Sequence, residues 1–296
     1  MKSGFVSILG RPNVGKSTIL NGIINKKVSI VTDKSQTTRN IIRGIYHGEG
    51  CQIIFIDTPG IHKPHAKLGE EMNNMAFSTA HDVDVNVLVV DASKPFGDGD
   101  DFIISHLDIK NAPLIIVFNK IDQARITEVQ ALREKYNSIL PKAIIIETVA
   151  KERFNLDVLI KTIVDLLPEG PEYYPVDAIT DKDEVFQIKE IIREKVLKIL
   201  KDEVPHSIAI YVNDIDYEPK PIHILATIIV EKDSQKGIVI GAGGKRIKLI
   251  GQKAREDIER LLNKHVFLEL FVRVQEDWRN NEDLLDKYGY KAKKQK

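Results

Sequence analysis

The sequence predicts an α/β protein, in which a mostly parallel sheet with helices on both faces is followed by a smaller α+β domain. Strand and helix signals alternate through the first half of the 296-residue chain, a pattern typical of a parallel sheet with crossover helices. The segment Pro168–Pro175 then interrupts this pattern with three prolines in eight residues. Beyond it, the predicted elements follow the order α-β-β-α-α-β.

In the first half, short runs rich in β-branched residues predict strands, and apolar residues at helical spacing predict the helices between them. The predicted strands are Phe5–Leu9, Gln52–Ile56, Val83–Val90, Leu114–Phe118 and Ala143–Ile146. The predicted helices are Ser17–Ile24, Phe102–Leu107, Glu128–Ile139 and Leu156–Leu167. Because ligands bind beyond the carboxyl ends of the strands in such sheets, we expect a binding site at that edge.

Proline cannot continue a helix or a central strand, so the proline-rich segment predicts a boundary between two domains. We expect the first domain over residues 1–170, a linker over 171–183, the second domain over 184–280 and a basic tail over 281–296. A glycine-rich break interrupts helical spacing over Gly237–Gly251. The other predicted elements of the second domain are the helices Glu184–Leu200 and Ile247–Leu262 and the strands Ser207–Val212, Ile222–Val230 and Val266–Val274.

Composition argues against several classes of protein. No apolar run approaches the roughly 20 residues that span a bilayer, and the N-terminus enters a strand at once, so we expect no secretory signal. Cys51 is the one cysteine, so an intramolecular disulfide is impossible, and we expect a cytosolic protein without structural zinc.

Charge is distributed unevenly along a chain whose formal net charge is zero. Six basic residues and no acidic one lie between Ser234 and Arg255. Four more lysines lie in the last six residues, Lys291–Lys296, which we expect to form a solvated tail.

The segment after the first predicted strand fits the phosphate-loop pattern G-x-x-x-x-G-K-[ST] and precedes a predicted helix, the context that supports the pattern. Glycines let backbone N–H groups and the helix N-terminus approach phosphate oxygens. Lys16 supplies a positive charge to the outer phosphates, and Ser17 supplies a hydroxyl for Mg²⁺. The predicted phosphate-binding residues are Gly10, Arg11, Pro12, Asn13, Val14, Gly15, Lys16 and Ser17.

Two further motifs end predicted strands. The first is D-x-x-G, formed by Asp57-Thr58-Pro59-Gly60. Asp57 can hold a Mg²⁺-bound water, and the N–H of Gly60 can reach a γ-phosphate. A D-x-x-G pattern alone, however, is more often a simple turn at the end of a strand. In Asn119-Lys120-Ile121-Asp122, Asp122 can accept both N1–H and the 2-amino group of guanine, and Lys120 can lie over the base. Adenine lacks that pair of donors, so the motif argues strongly against a kinase or an ATPase.

Together these motifs resemble the translation-factor-like family of P-loop GTPases. The resemblance implies that GTP is hydrolysed to GDP with Mg²⁺ bound, and that Lys16, Thr38 and Gly60 are the catalytic residues. In the expected switch segment Val31–Gly44, Thr38 is the predicted Mg²⁺ ligand and Thr37 is the alternative. The predicted metal set is Ser17, Thr38 and Asp57, and the nucleotide set adds Thr58, Pro59, Ile61, Asn119, Lys120, Ile121, Asp122 and Ala150.

This sequence also departs from related GTPases. Val149 stands where serine is usual before Ala150, whose N–H is still expected to reach guanine O6. Ile61 stands where Ras-like enzymes have a glutamine that orients water, so we expect slow intrinsic hydrolysis. Asn13 matches members of the family that use K⁺ near the phosphates; the alternative is that Asn13 only stabilises the loop turn.

The second domain contains V-I-G-A-G-G-K-R-I over Val239–Ile247, which resembles the signature of KH domains. In these domains a G-x-x-G turn between two helices clamps a single-stranded nucleic-acid backbone. The α-β-β-α-α-β order and the local positive charge match the type II form. Ala242 stands where a basic residue is frequent, so one phosphate contact is expected to be missing. The predicted RNA-binding residues are Gly241, Ala242, Gly243, Gly244, Lys245, Arg246 and Lys248.

Nearly the whole chain resembles bacterial ribosome-assembly GTPases that end in a type II KH domain. The resemblance extends to Gln36–Arg39, Asp57–Pro64, Ile179–Asp181, Asp233–Gly237 and Trp278. It implies binding to the 3′ end of 16S rRNA, a role in 30S subunit maturation, and a cytosolic protein of which a fraction lies at the inner face of the membrane.

We expect a monomer that binds RNA more tightly when GTP is bound. The alternative is a membrane-associated signalling GTPase whose C-terminal domain binds protein.

Overall fold

A computed structural model describes residues 1–34, 36–107, 112–200, 207–218 and 220–291. The chain divides into two compact units. The first consists of Met1–His65 and Gly69–Asp181, and the second of Ala66–Leu68 and the residues from Lys182 onward.

Six strands of the first unit form one sheet in the part of the chain that the structure describes. Their order across the sheet is β2-β3-β1-β4-β5-β6. All neighbours are parallel except β2 and β3, which are antiparallel. The strands are β1 (Lys2–Leu9), β2 (Ile42–Gly48), β3 (Cys51–Asp57), β4 (Val85–Asp91), β5 (Leu114–Asn119) and β6 (Ile144–Thr148). The predicted mostly parallel sheet is confirmed.

Helices cover both faces of this sheet, because alternate residues of each buried strand point to opposite sides. In β4, Val87 packs with apolar residues of α1 and α5, whereas Leu88 packs with those of α2, α3 and α4. The helices are α1 (Lys16–Ile24), α2 (Lys67–His81), α3 (Asp98–His106), α4 (Ile126–Ile139) and α5 (Leu156–Leu166).

Strand β2 and helix α2 are absent from the sequence-based prediction. Strand β2 has the sequence IRGIYHG, whose two glycines weaken its strand signal. It forms because every residue from Ile42 to Gly48 pairs with β3. Helix α2 is mostly polar on its outer side, and Met72, Ala76 and Ala80 provide its buried face.

Residues 171–181, predicted as part of a linker, lie beside β2 and β3. The side chain of Gln52 accepts a hydrogen bond from the Tyr173 N–H at 2.7 Å. The Ile45 N–H donates to the Ile179 carbonyl at 3.0 Å. The segment therefore shields the outer edge of the sheet as far as Asp181.

The second unit contains its elements in the predicted order α-β-β-α-α-β. Strand β8 is central, antiparallel to β7 and parallel to β9. The elements are α6 (Glu184–Ile199), β7 (Ala209–Asp216), β8 (Ile222–Val230), α7 (Asp233–Ile240), α8 (Lys245–Leu262) and β9 (Val266–Val274). Across the described ranges of the chain, none of the helices has the length and apolarity needed to cross a membrane.

The segment that was expected to begin a tail at residue 281 contains a short helix and buried aromatic residues. Helix α9 spans Glu282–Lys287, and Tyr290 packs near Trp278, their ring centroids 5.7 Å apart. Trp278 is fully buried and donates its indole N–H to the Ser207 carbonyl at 2.9 Å. Large aromatic side chains bury a large apolar area, so Trp278 and Tyr290 hold this segment against the rest of the second unit. Residues 292–296, which hold most of the predicted lysine tail, lie outside the described residues.

Candidate nucleotide site and nucleic-acid interface

The predicted nucleotide motifs meet at the carboxyl edge of the first sheet. The phosphate loop follows β1, and Asp57 ends β3 directly opposite Ile8 of β1. Asn119 ends β5 opposite Asp91 of β4. Four parallel strands therefore bring together residues that are far apart in sequence, as the parallel order predicts.

The phosphate loop depends on glycine at two positions. Gly10 has φ +143° and Gly15 has φ +107°, conformations that side chains disfavour. A Cβ at Gly10 would lie 2.4 Å from the Val89 carbonyl oxygen, and one at Gly15 would lie 2.2 Å from Nδ2 of Asn119. These glycines therefore allow the loop to pass close to β4 and β5.

Lys16 is the buried cation of the loop, with only 6% of the residue exposed. Its Nζ donates to the carbonyls of Gly10 and Arg11 at 3.0 and 2.9 Å. Burial lowers the pKa of Lys16 from 10.5 to about 8, against the opposing charge of Asp57. Phosphate oxygens beside the ammonium group would favour its charged form.

Three other residues of the phosphate loop, Arg11, Pro12 and Val14, contact the surrounding protein. Arg11 donates from Nη1 to Oδ2 of Asp100 at 3.2 Å, and Val14 is buried in the core. Pro12 lies against Gly60, where an added Cβ would come within 2.8 Å of the Pro12 Cα.

Asp57 and the hydroxyls of Ser17, Ser29 and Thr38 form a cluster of hard oxygen atoms. Ser17 donates from Oγ to Oδ2 of Asp57 at 2.7 Å, and Oγ1 of Thr38 lies 3.0 Å from the Ser17 Oγ. Burial raises the pKa of Asp57, against the effects of Lys16 and of the hydroxyls of Ser17, Ser29 and Thr38. Among the described residues, Oδ1 of Asp57 is buried without a hydrogen-bond partner. An oxygen cluster with one unsatisfied carboxylate oxygen fits Mg²⁺.

The two candidate threonines occupy different places. Thr38 is 5% exposed and belongs to the oxygen cluster through Ser17. The hydroxyl of Thr37 instead donates to the Lys34 carbonyl at 2.6 Å and lies 2.7 Å from the hydroxyl of Thr32. The geometry therefore favours Thr38 over the alternative.

The turn after Asp57 lies against the phosphate loop. The Ile61 N–H donates to the Gly10 carbonyl at 3.1 Å, and the Thr58 hydroxyl donates to the Ile8 carbonyl at 2.8 Å. Pro59 is buried between them. The Ile61 side chain is fully buried in an apolar cluster, so it provides no atom that could orient water.

Asn119 connects three loops, a role that sequence reasoning missed. Its Nδ2 donates to the Val14 carbonyl at 2.8 Å. Its Oδ1 accepts from the Ala150 N–H at 3.0 Å and from the Thr148 hydroxyl at 3.2 Å. The N–H that the resemblance assigns to guanine O6 is therefore donated to Asn119 here. No local pattern reveals these contacts, because the partners are 105, 31 and 29 positions away.

The remaining guanine residues follow β5. Lys120 has a left-handed backbone with φ 64° and begins the turn Ile121–Gln123. Its Nζ donates to the Asn13 carbonyl at 2.7 Å and to Oδ2 of Asp91 at 2.6 Å. Asp122 is exposed, so its carboxylate is accessible to a base.

Asn13 has a specific partner in the predicted switch segment. Its backbone is left-handed, with φ 63°, and its Nδ2 donates to the Asp33 carbonyl at 2.9 Å. The amide therefore connects the phosphate loop to the segment that carries Thr38. The K⁺ role stays a prediction.

The glycine turn of the second unit lies between α7 and α8, as the KH signature predicts. Gly241, Gly243 and Gly244 have φ 72°, 58° and 74°. A Cβ at Gly241 would lie 2.7 Å from the Arg246 Cβ, whereas nothing lies within 4 Å of one at Gly243. Gly241 is thus required by packing as well as by backbone conformation.

The predicted basic contacts surround this turn. Lys245 and Lys248 are exposed in the first turn of α8, where the helix N-terminus also favours anions. Arg246 is exposed as well, but its Nη1 donates to the Ile238 carbonyl near the end of α7. Arg246 therefore helps to hold the two helices together, and Ala242 lies exposed beside it.

Comparison with known protein families identifies both units. Residues 5–120 match the family model described as 50S ribosome-binding GTPase. Residues 203–279 match that of the KH domain. The first match includes the phosphate loop and the turn after Asp57, and the second includes the glycine turn.

Two solved structures are similar to the chain over nearly its whole length. One is a variant of Aquifex aeolicus Era bound to GDP and AlF4⁻, with 38% identity and a TM-score of 0.93, covering 99% of this chain and 100% of that chain. The other is Era in complex with MgGDPNP and nucleotides 1506–1542 of 16S ribosomal RNA, with 38% identity, a TM-score of 0.94 and the same coverage. The chain therefore belongs to the Era family of GTPases, in which a GTPase domain is followed by a KH domain.

Proposed function

We propose that this GTPase is a switch that binds the 3′ end of 16S rRNA through its KH domain and assists assembly of the 30S subunit. The observation that carries this proposal is the full-length similarity to Era in complex with MgGDPNP and nucleotides 1506–1542 of that RNA. The exposed glycine turn and its lysines supply the matching chemistry in this chain.

The phosphate loop and Lys16 would hold the nucleotide phosphates. Ser17 and Thr38 would contribute their hydroxyls to Mg²⁺, and Asp57 would hold one of its water ligands. The metal, when bound, neutralises charge on the β- and γ-phosphates. The Ser17 hydroxyl could keep donating its hydrogen to Oδ2 of Asp57 while its oxygen faces the metal, and the unpartnered Oδ1 of Asp57 would be available to accept from water.

Guanine selection would rest mainly on Asp122, whose exposed carboxylate can accept both donors on the guanine edge. The methylene stem of Lys120 would cover one face of the base. Ala150 would contact guanine O6 only by sharing its N–H with Asn119, so we expect its contribution to be smaller than that of Asp122.

Hydrolysis is expected to be slow without an activating partner. Lys16 and the N–H of Gly60 would stabilise charge on the γ-phosphate, and Thr38 would hold the metal. The buried side chain of Ile61 provides no group for the attacking water. We propose that K⁺ beside Asn13 raises turnover relative to Na⁺, and equal rates in the two salts would remove that role.

RNA would be held at the turn between α7 and α8. The backbone of Gly243 and Gly244 and the side chains of Lys245 and Lys248 would contact phosphates. Ile238 and Leu249 are 41% and 42% exposed, and these apolar side chains could contact unstacked bases.

We further propose a monomeric protein of the cytosol with a fraction at the inner face of the membrane. The GTPase domain would extend to Asp181, because Thr180 bridges to Gly44 of β2 and Asp181 accepts a hydrogen bond from Arg43 of β2. The KH domain would include the folded segment up to Tyr290. Both limits lie beyond those expected from the sequence.

Crosslinking of the GTP-bound protein to total RNA, followed by sequencing of the attached fragments, tests this proposal. We expect enrichment of the 3′ end of 16S rRNA. The control replaces Ala242 and Lys245 with aspartate, because both residues are exposed and neither has a left-handed backbone. Loss of enrichment in this folded control supports the assignment, and a wild-type profile without 16S rRNA contradicts it.

A further inference from the structure

Asp91 contacts the guanine motif but belongs to none of the predicted motifs. It ends β4 directly beside Asn119 at the end of β5. Its Oδ2 accepts a hydrogen bond from Nζ of Lys120 at 2.6 Å. Most of each side chain is shielded from water, with 15% of Asp91 and 26% of Lys120 exposed. A charge-assisted bond in such a site is stronger than one on the surface.

The structure also holds Asp91 from its other side. Its Oδ1 accepts from the N–H and the hydroxyl of Ser93 at 3.1 and 2.6 Å. Burial alone would raise the pKa of Asp91, but the hydrogen bonds and charge of Lys120 and the bonds from Ser93 hold it below the ordinary value. The carboxylate is thus a fixed negative charge rather than a mobile surface group.

Lys120 is consequently held at both ends. Its backbone has φ 64°, and its Nζ donates to the Asn13 carbonyl at 2.7 Å as well as to Asp91. A free lysine side chain has many rotamers, and ordering it on ligand binding would reduce affinity. The bond to Asp91 orders the side chain beforehand, in contact with the phosphate loop and two residues from Asp122.

We propose that Asp91 is a positioning residue for guanine nucleotides, which fixes the Lys120 side chain between the phosphate loop and the base site. This inference rests on the proposed nucleotide site. Asp91 acts through Lys120 and does not itself touch the nucleotide. Its replacement should therefore weaken nucleotide binding only while the lysine ammonium group is present.

A double-mutant cycle on the full chain tests this dependence, with the affinity for a fluorescent GDP analogue as the readout. Asp91→Asn should weaken binding about tenfold. Lys120→Met keeps the apolar stem but removes the ammonium group. In that background Asp91→Asn should change affinity less than about twofold. Asp91→Glu, which restores the charge, should recover part of the loss.

Asp84→Asn is the matched control, because Asp84 lies just before the other end of β4 and accepts from the Phe5 N–H at 2.7 Å. It should lower the thermal unfolding temperature and leave GDP affinity unchanged. Unaltered GDP affinity in Asp91→Asn, additive effects in the cycle, or an equal loss in Asp84→Asn would each overturn the inference alone. A wild-type protein that does not prefer GDP to ADP would overturn the proposed nucleotide site and this inference with it.

Discussion

Thr37 and Thr38 are adjacent in the sequence, yet their hydroxyls contact different parts of the protein. That of Thr38 lies 3.0 Å from the Ser17 hydroxyl, whereas that of Thr37 donates to the Lys34 carbonyl. A signature containing two threonines leaves this choice open. The structure favours Thr38 because only its hydroxyl joins the oxygen cluster around Asp57.

Substitution of the two threonines tests the difference. Thr38→Val should lower the GTP hydrolysis rate at least about tenfold, since a lost metal contact raises the barrier by more than 1.4 kcal/mol. GDP affinity should change little, because Thr38 is expected to contact the metal when GTP is bound. Thr37→Val is the control for loop distortion. Phosphate release at saturating GTP measures turnover in both variants. Equal losses in the two would contradict the assignment of Thr38.

Some residues of the site could be predicted from the sequence and others could not. Gly10, Lys16 and Asp122 belong to short patterns whose chemistry is local. The roles of Asn119 as a connection between loops and of Asp91 as a partner of Lys120 depend on strands that are adjacent in the sheet but distant in sequence. Such roles become visible only once the strand order is known.

At the scale of elements, Asn119 joins the end of β5 to the phosphate loop and to the loop after β6. Asn119→Ala should lower the free energy of unfolding by about 1–3 kcal/mol, because it leaves the Ala150 N–H and the Val14 carbonyl without their partner. It should also weaken GDP binding. Chemical denaturation and GDP titration of the folded variant measure the two effects.

Asn86→Ala provides the comparison, since Asn86 is also fully buried but lies at the start of β4. Its side chain bonds to the Ser7 hydroxyl and the Ala80 carbonyl. We expect a similar loss of stability with unchanged GDP affinity. If the folded Asn119 variant bound GDP like wild type, the connection would be structural alone.

A substitution in the turn between α7 and α8 is expected to strengthen RNA binding. Ala242 is exposed beside the glycines, so Ala242→Lys should add a phosphate contact, tighten RNA binding and steepen its salt dependence by about one unit of the log–log slope. A salt titration with a single-stranded RNA measures this. Ala242→Gln is the uncharged control, and an unchanged slope in the lysine variant would place the RNA elsewhere.

Helices and strands with a clear hydrophobic pattern were predicted to within a few residues, whereas β2 and α2 were missed. Strands Ile222–Val230 and Val266–Val274 have their predicted limits. The first is apolar along most of its nine residues, and in the second more and less exposed residues alternate over nine positions. Strand β2 contains two glycines, and its stability comes from pairing with β3. Pairing of this kind leaves little trace in a local window.

At the scale of the whole molecule, the division into two units follows the change of pattern seen in the sequence. The proline-rich segment indicates where the first pattern ends. It does not indicate that residues up to Asp181 continue along the first sheet, or that residues up to Tyr290 pack with the second unit. Both extensions rest on tertiary contacts, those of Gln52 with Tyr173 and of Trp278 with Tyr290.

The proposed role as a switch requires that the nucleotide bound to the first unit governs RNA binding by the second, and this requirement is the central claim. It is tested most directly by the affinity of the full-length protein for a fluorescent single-stranded RNA with the sequence of the 16S rRNA 3′ end. We predict binding at least about fivefold tighter with Mg²⁺ and GDPNP than with Mg²⁺ and GDP, a coupling of about 1 kcal/mol. The same affinity with both nucleotides would contradict the claim.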